Sequence, residues 1–135
     1  MKLLMKRNTL GRGEHLKSEK SITGLFETGK SLSLHPIRLI YQPVPPSNNF
    51  PVKVGFAVPR KNFKRAVDRN LLKRRMREAY RLKKNLLVLS DNPGLIQGID
   101  IMLVYQGHTI EDYNKISESI AGLLKKLAAK ISKNN

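Results

Sequence analysis

The hydrophobic period of this chain changes in its middle part from that of a strand to that of a helix and back. The stretch VKVGFAVP, residues 52–59, alternates apolar side chains with small or basic ones, which predicts a strand. Residues 66–84 then carry apolar side chains at helical spacing. IDIMLVYQ, residues 99–106, is apolar at nearly every position, as in a strand buried on both faces. This order predicts that the helix is a crossover between two neighbouring strands.

Two more helices and one more strand are predicted around this unit. Apolar side chains recur at helical spacing in residues 18–28, and residues 35–44 are rich in strand-forming side chains. Residues 110–131 carry a helical apolar stripe, preceded by Thr109 and Asp112 at the spacing of a capping box. Together the elements predict an α+β fold, a two-layer sandwich of helices on a small sheet.

Length and composition favour a single soluble domain. The chain has 135 residues, 40% of them apolar, so we expect one domain over residues 1–135 with a flexible basic arm at residues 1–14. There is no cysteine, which excludes disulfides, thiolate catalysis and cysteine-based zinc sites. A chain without cysteine fits a reducing compartment, and we predict the cytoplasm. No run approaches the roughly 18 apolar residues of a membrane span.

The charge of the chain points to a polyanionic partner. The formal net charge is +16, which indicates RNA, DNA or anionic lipid as the partner class. The charge is densest in residues 60–84, and within residues 60–82 ten Lys or Arg side chains accompany two acids, Asp68 and Glu78. On a helical wheel one polar face, an arc of roughly 140°, consists of Arg69, Asn70, Lys73, Arg74, Arg77, Arg81 and Lys84. The opposite, apolar face is predicted to meet the sheet and consists of Leu71, Leu72, Met76, Ala79 and Leu82.

A charged helix face is most often simply solvated, but this one lacks the acids that such a face usually carries. A helix stabilised by its own surface pairs has Glu or Asp four residues from each cation, whereas this segment has only two acids. Phosphates are the simplest source of the missing negative charge. The arginines can form bidentate hydrogen bonds with phosphate, and an asparagine amide can form hydrogen bonds with a base edge, so RNA is a suitable ligand for this surface.

Groups for catalysis or metal binding are not recognisable. His15, His35 and His108 are isolated from one another and from carboxylates at ligand spacing. The acids are dispersed, and neither a glycine-rich phosphate loop nor a serine nucleophile motif is present. We therefore predict no catalytic residue and no metal ligand in this chain.

The run VGFAVPRKNFKRAVDRNLLKRRMREAYRL, residues 54–82, resembles the signature of the protein component of bacterial ribonuclease P. In that family a basic pair closes a strand and a helix with an Arg-Asn-Arg motif follows. The resemblance implies an αβββαβα fold with a small mixed sheet, of which the residue patterns identify three strands. It also implies a left-handed crossover at the basic helix, against the usual right-handed rule.

The same resemblance implies a function. In this family the RNA subunit is the catalyst, and it removes the 5′ leader of precursor transfer RNA with Mg²⁺ that is bound mainly by the RNA. The protein binds the RNA subunit and holds the single-stranded leader in a cleft between the first helix and the sheet. The implied partners are therefore the RNA subunit and precursor transfer RNA, with no membrane and no further protein required.

Two sets of site residues carry over by position from the resemblance. The leader contacts are Ile22, Phe26, Ile40 and Lys53, although core packing predicts a place for Phe26 equally well. Tyr41, next to Ile40, leaves open which face of the strand meets the leader. The RNA-subunit contacts, which we call the basic ledge, are Arg60, Lys61, Arg65, Arg69, Asn70, Lys73, Arg74 and Arg77.

The signature is altered at one point. The chain reads Arg69-Asn70-Leu71 where the family has Arg-Asn-Arg, and Arg75 stands where the family usually has an apolar residue. Residues 71 and 75 are one turn apart, and long helical side chains lean toward the N-terminus. We hypothesise that Arg75 reaches back to supply the missing guanidinium as a further RNA-subunit contact, while Leu71 takes over its packing.

Two other functions would also use a basic helix without an active site. One is a non-enzymatic RNA-binding protein, such as a ribosomal or RNA-assembly component. The other is a membrane-surface helix at residues 60–84, but its apolar face lacks the Trp and Phe anchors of such helices.

Overall fold

The computed structural model describes residues 15–16, 19–44, 52–87 and 98–133. Its elements in chain order are α1 (Glu19–Thr28), β1 (Lys30–Leu34), β2 (Ile37–Val44), β3 (Val52–Ala57), α2 (Ala66–Lys83), a 3₁₀ turn (Lys84–Leu87), β4 (Gly98–Tyr105) and α3 (Tyr113–Lys133). This is the predicted αβββαβα order. The predicted flexible arm at residues 1–14 lies outside the described residues.

The four strands form one mixed sheet in the order β1-β2-β4-β3. β1 pairs antiparallel with β2, β2 pairs antiparallel with β4, and β3 pairs parallel with β4. Because β3 and β4 are parallel neighbours, α2 is the connection between them, which confirms the predicted crossover. A turn with a cis His35–Pro36 bond joins β1 to β2.

The larger hydrophobic core lies between one face of the sheet and the two longer helices. Each buried aliphatic side chain in such a core contributes about 1.5–3 kcal/mol relative to an exposed one. The helical part of this core consists of Leu72, Met76, Ala79 and Tyr80 from α2 and of Ile116, Ile120, Leu123, Leu124 and Leu127 from α3. The apolar stripe predicted for the last helix is therefore confirmed.

α1 lies on the opposite face of the sheet, which we call the cleft face, and crosses the strands there. Just before the helix, the Leu16 amide donates a hydrogen bond to the Val54 carbonyl of β3, at 2.8 Å. At its other end, Gly29 lies so close to β2 that a Cβ would come within 2.9 Å of Ile40 Cγ2. A second, smaller core forms beneath the helix from Leu16, Leu25, Ile40 and Met102.

Three details differ from the sequence prediction. β1 was not identified from its residues, because only Leu32 of this edge strand is partly buried. α3 begins at Tyr113, and Asp112 itself caps it by accepting the Lys115 amide at 2.8 Å. On α2 the buried face includes Tyr80, whereas Leu82 is 42% exposed, so the face that meets the core is rotated from the predicted one.

Candidate nucleic-acid interface

The turn before α2 is held to the helix by Arg69. Its Nη1 donates hydrogen bonds to the carbonyl oxygens of Phe63 and Lys64, both at 2.9 Å. Phe63 is buried, and its ring packs edge-to-face on Tyr105 with the centroids 5.6 Å apart. These contacts fix the turn that carries Arg60 and Lys61, both exposed, beside the start of the helix.

A ridge of polar side chains runs along the solvent face of α2. Asn70, Arg74 and Arg77 are exposed and lie within an arc of about 60°. Lys73, at the edge of this arc, is partly exposed. The Arg77 guanidinium carbon lies 5.8 Å from the centre of the Phe56 ring, a cation–π distance. The ridge therefore extends from the helix to the edge strand β3.

The acids of this segment neutralise little of its charge. Arg81 bonds Glu78 at 2.6 Å, and this hydrogen bond lowers the pKa of the Glu78 carboxyl. Arg65, the N-cap residue, lies 4.0 Å from Asp68 and makes no side-chain capping bond. Between residues 60 and 83 these two contacts use both acids, so the positive charge of the ridge exceeds the negative charge beside it.

Arg75 has a partner that its sequence position did not predict. Its Nη1 donates a hydrogen bond to the carbonyl oxygen of Glu111, at 2.6 Å, in the segment that precedes α3. The Tyr105 hydroxyl fixes the same segment, because it donates to the Thr109 carbonyl at 2.7 Å and accepts from the Glu111 amide at 3.0 Å. Arg75 thus joins α2 to the start of α3, and Leu71 beside it is partly buried.

The predicted leader contacts lie around α1 but do not converge on one spot. Phe26 is 50% exposed, so the alternative of core packing does not hold for it. Ile22, one turn earlier, is partly buried. Ile40 is 2% exposed and lies beneath the helix, while Tyr41 packs in the larger core on the other face. The face of β2 that carries Ile40 is therefore the one beside α1.

Lys53 also lies on the cleft face, next to a buried acid. Asp100 is the parallel register partner of Lys53, and its antiparallel partner is Gln42. Burial raises the pKa of the Asp100 carboxyl, and the Lys53 ammonium lowers it in part. The Gln42 amide donates to the Thr28 hydroxyl at 3.1 Å, so this row lies beside the Thr28 flank of α1.

Two polar residues on the cleft face were not selected from the sequence. Arg38 is exposed and lies two residues before Ile40 on β2, so both side chains point to the same face. Gln106 is exposed just after β4, and its backbone N–H donates to the Pro36 carbonyl at 2.7 Å, which extends the strand pairing by one residue. A lone arginine within an apolar strand was the available signal for the first, whereas nothing in the sequence marked the second.

Neither a metal site nor a membrane span is found in the part of the chain that the structure describes. No three His, Asp or Glu side chains there lie close enough together to hold a metal ion. None of the helices described is both long and apolar enough to cross a bilayer.

The fold and the surface define a class of small α+β proteins that present a cationic crossover helix and, on the other face of the sheet, a short helix with an exposed aromatic side chain. A family model described as Ribonuclease P matches residues 10–128. The ribonuclease P protein component of Petrotoga mobilis is 31% identical over 125 residues, which cover 93% of this chain and 100% of that protein. The chain belongs to the ribonuclease P protein family.

Other relatives match a shorter region. The ribonuclease P protein component of Chlorobaculum tepidum is 46% identical over 83 residues, which cover 59% of this chain and 54% of that protein. The chain thus spans about half the length of several curated relatives that it matches. The solved RNase P protein of Thermotoga maritima superimposes with a TM-score of 0.65 at 24% identity, covering 84% of this chain and 96% of that one. This last likeness concerns the fold alone.

Proposed function

We propose that this chain is the protein subunit of a ribonuclease P holoenzyme, in which an RNA subunit catalyses endonucleolytic removal of the 5′ leader from precursor transfer RNA. The observation that carries the proposal is the ridge on α2, where Asn70, Arg74 and Arg77 are exposed and both acids of the segment are already paired. Membership of the family supports the same function. The chain contributes binding to the reaction and no catalytic group.

The RNA subunit binds the basic ledge in this proposal. The exposed arginines of the ridge place guanidinium forks on phosphates, and the Asn70 amide offers a donor and an acceptor to a base edge. Arg69 and Arg75 each give one nitrogen to backbone carbonyls, which leaves their other N–H groups as donors for RNA phosphates. Arg60, Lys61, Arg65 and Lys73 complete the contact set.

The leader binds beside α1. A half-exposed Phe26 offers a ring face on which an unpaired base stacks, an interaction worth about 1–3 kcal/mol per base in single-strand binding proteins. Ile22 extends the apolar wall by one turn, and Ile40 supports the helix from beneath. Stacking of this kind tolerates any base, so it suits leaders of varied sequence.

Magnesium enters this reaction as a cofactor bound mainly by the RNA subunit. The protein acts on the Mg²⁺ requirement through its own cations, because each phosphate that Lys or Arg neutralises releases counterions and reduces the repulsion between RNA segments. We place this activity in the cytoplasm, in agreement with a sequence that has no cysteine.

Reconstitution tests the proposal. A leader-bearing precursor, the RNA subunit and this protein are combined at a Mg²⁺ concentration too low for the RNA subunit alone. We expect 5′ cleavage only when both subunits are present. A protein carrying Arg74→Glu and Arg77→Glu should lose the effect, whereas Lys125→Glu, a charge reversal at an exposed position of α3, should retain most of it.

The result also separates the proposed function from its main alternative. A ribosomal or assembly protein would bind structured RNA in a salt-sensitive manner but leave the Mg²⁺ dependence of cleavage unchanged. Such an outcome would contradict the holoenzyme proposal while leaving the basic ledge as an RNA-binding surface.

A further inference from the structure

α1 divides the cleft face of the sheet into two rows of side chains. The helix follows the register row Ile40–Met102–Gly55, from Leu16 above β3 to Gly29 above β2. Because it crosses the strands, each of its flanks faces one neighbouring row. The two rows are Gln42–Asp100–Lys53 on one side and Arg38–Val104–Ala57 on the other.

The exposed ring of Phe26 lies on the flank of α1 that faces the second row. The hydrogen bond from Gln42 to Thr28 identifies the flank of α1 that faces the first row. At 100° per residue, Ile22 and Phe26 lie about 120° and 160° around the helix from Thr28, on the opposite flank. The packing agrees, because Ile22, Val104 and Ala57 all lie partly buried against the small core beneath α1.

The second row has the chemical groups that a nucleotide needs. Phe26 forms the wall, and the partly exposed Val104 and Ala57 form an apolar floor of small side chains. Arg38 is exposed on the same face, next to Val104 in the register. Gln106 follows two residues after Val104 and therefore points to the same face. An aromatic face, an apolar floor, a guanidinium and an amide match a base with its phosphate.

The first row is less suited to a polyanion. Asp100 lies between Gln42 and Lys53 and is 6% exposed. When ionised, its carboxylate repels a phosphate, and its attraction for the Lys53 ammonium reduces the charge which that side chain offers to a ligand. Lys53 is itself partly buried.

We infer that the single-stranded leader runs along the Arg38–Val104–Ala57 row, where Arg38 binds a leader phosphate beside the base stacked on Phe26 and Gln106 contacts a base edge. This inference rests on the proposed function and refines it, because it replaces Lys53 by Arg38 as the cation of the leader site. We call this row, together with Phe26 and Gln106, the leader track. Arg60 follows Ala57 by three residues, so the leader track continues onto the basic ledge.

Matched substitutions on the two sides of α1 test this inference. Arg38→Gln and Lys53→Gln each remove one positive charge from the same face of the sheet, and Lys125→Gln does so on the exposed surface of α3. For each holoenzyme, the affinities for a leader-bearing precursor and for the same transfer RNA without a leader are measured, and their ratio is the leader-dependent gain.

We expect Arg38→Gln to lower this gain about fivefold, the scale of one lost charge-assisted contact, and Phe26→Ala to lower it similarly. Lys53→Gln and Lys125→Gln should change the two affinities together and leave their ratio within twofold. An equal or larger loss of the gain with Lys53→Gln would overturn the inference. A wild-type holoenzyme with no leader-dependent gain would instead overturn the proposed leader binding itself.

Discussion

Arg69 and Arg75 both donate hydrogen bonds to backbone carbonyl oxygens, so each has a structural role besides its proposed contact with RNA. Arg69 holds the turn before α2 through two bonds, and Arg75 holds the segment before α3 through one. Arg74 lies between them in the sequence but is exposed on the ridge. Substitutions of these three side chains therefore distinguish the contribution of charge to RNA binding from the contribution of the backbone hydrogen bonds to stability.

Arg69→Ala should lower the free energy of unfolding by about 1–3 kcal/mol, because two carbonyls lose a charged donor, and should also weaken binding of the RNA subunit. Arg74→Ala should weaken binding without a comparable loss of stability. The hypothesis that Arg75 supplies the missing guanidinium predicts that Arg75→Ala weakens binding about as much as Arg69→Ala. Urea unfolding and filter binding measure the two quantities. If Arg75→Ala lowers stability alone, its role is structural only.

Asp100 makes the stability of the protein depend on pH. Burial raises the pKa of its carboxyl above the ordinary value, so the folded state binds this proton more tightly than the unfolded state. Its contribution is therefore fully present below the unfolded pKa and is lost as the pH rises through the folded pKa. An ionised Asp100 is thus unfavourable at neutral pH, and Lys53 offsets part of that effect.

Asp100→Asn should therefore be more stable than the wild type at neutral pH, and this gain should shrink toward acid pH. Lys53→Gln should do the opposite at neutral pH, because it removes the cation that favours the ionised carboxylate. Urea unfolding followed by circular dichroism at a series of pH values measures both differences. A gain for Asp100→Asn that stays constant across the series would contradict this account.

At the scale of elements, the segment between β4 and α3 depends on one buried side chain. Tyr105 is fully buried, and its hydroxyl bonds both the Thr109 carbonyl and the Glu111 amide. The same segment begins with Gln106, which we assign to the leader track, and its Glu111 carbonyl accepts the bond from Arg75. If this segment lost its order, both the proposed leader site and the proposed RNA-subunit contact of Arg75 would therefore be affected.

Tyr105→Phe should lower the free energy of unfolding by about 0.5–1.5 kcal/mol, since the part-buried hydrogen bonds to the Glu111 amide and the Thr109 carbonyl are lost. Hydrogen exchange at the Glu111 amide should accelerate more than exchange within the strands. Tyr41→Phe is the matched control, because Tyr41 lies in the same core and its hydroxyl is not among the groups that hold this segment. Equal losses for the two variants would show that the hydroxyl bonds of Tyr105 contribute little.

The sequence predicted those elements whose burial is regular. The alternation in β3 and the stripe of α3 come from contacts with the larger core, and the apolar run of β4 comes from burial between the two cores. β1 gave no such signal, because it is an edge strand in which serine alternates with partly or fully exposed side chains. Its place depends on pairing with β2, which local sequence does not encode.

The candidate site was predictable in its residue types but not in its arrangement. The excess of positive charge on one face of α2 was predictable from the sequence, because a helix places its side chains at known angles. The side of α1 that faces each row of the sheet depends on the crossing direction of the helix, which is a tertiary feature. The sequence therefore favoured Lys53, and the inference for Arg38 came only from the structure, although both are single cations of strands that border the cleft face.

At the scale of the whole molecule, positive charge is spread over more surface than the ledge. The chain has 26 Lys and Arg against 10 acids, and α3 also exposes lysines, among them Lys125, Lys126 and Lys130. A net charge of this size attracts any polyanion at long range, and the attraction weakens with ionic strength. Affinity for RNA at one salt concentration therefore does not distinguish direct contacts with the basic ledge from long-range attraction by the net charge.

The salt dependence of binding can make that distinction, because it counts the phosphates that cations contact directly. Arg74→Gln and Arg77→Gln should each reduce the slope of log affinity against log salt by about one contact. Lys126→Gln removes the same charge from α3 and should lower the affinity only slightly, with little change of slope. RNA-subunit binding measured over a series of KCl concentrations gives the slopes. If the α3 substitution reduces the slope as much as the ridge substitutions do, then the RNA contacts the whole cationic surface and α2 has no special part in recognition.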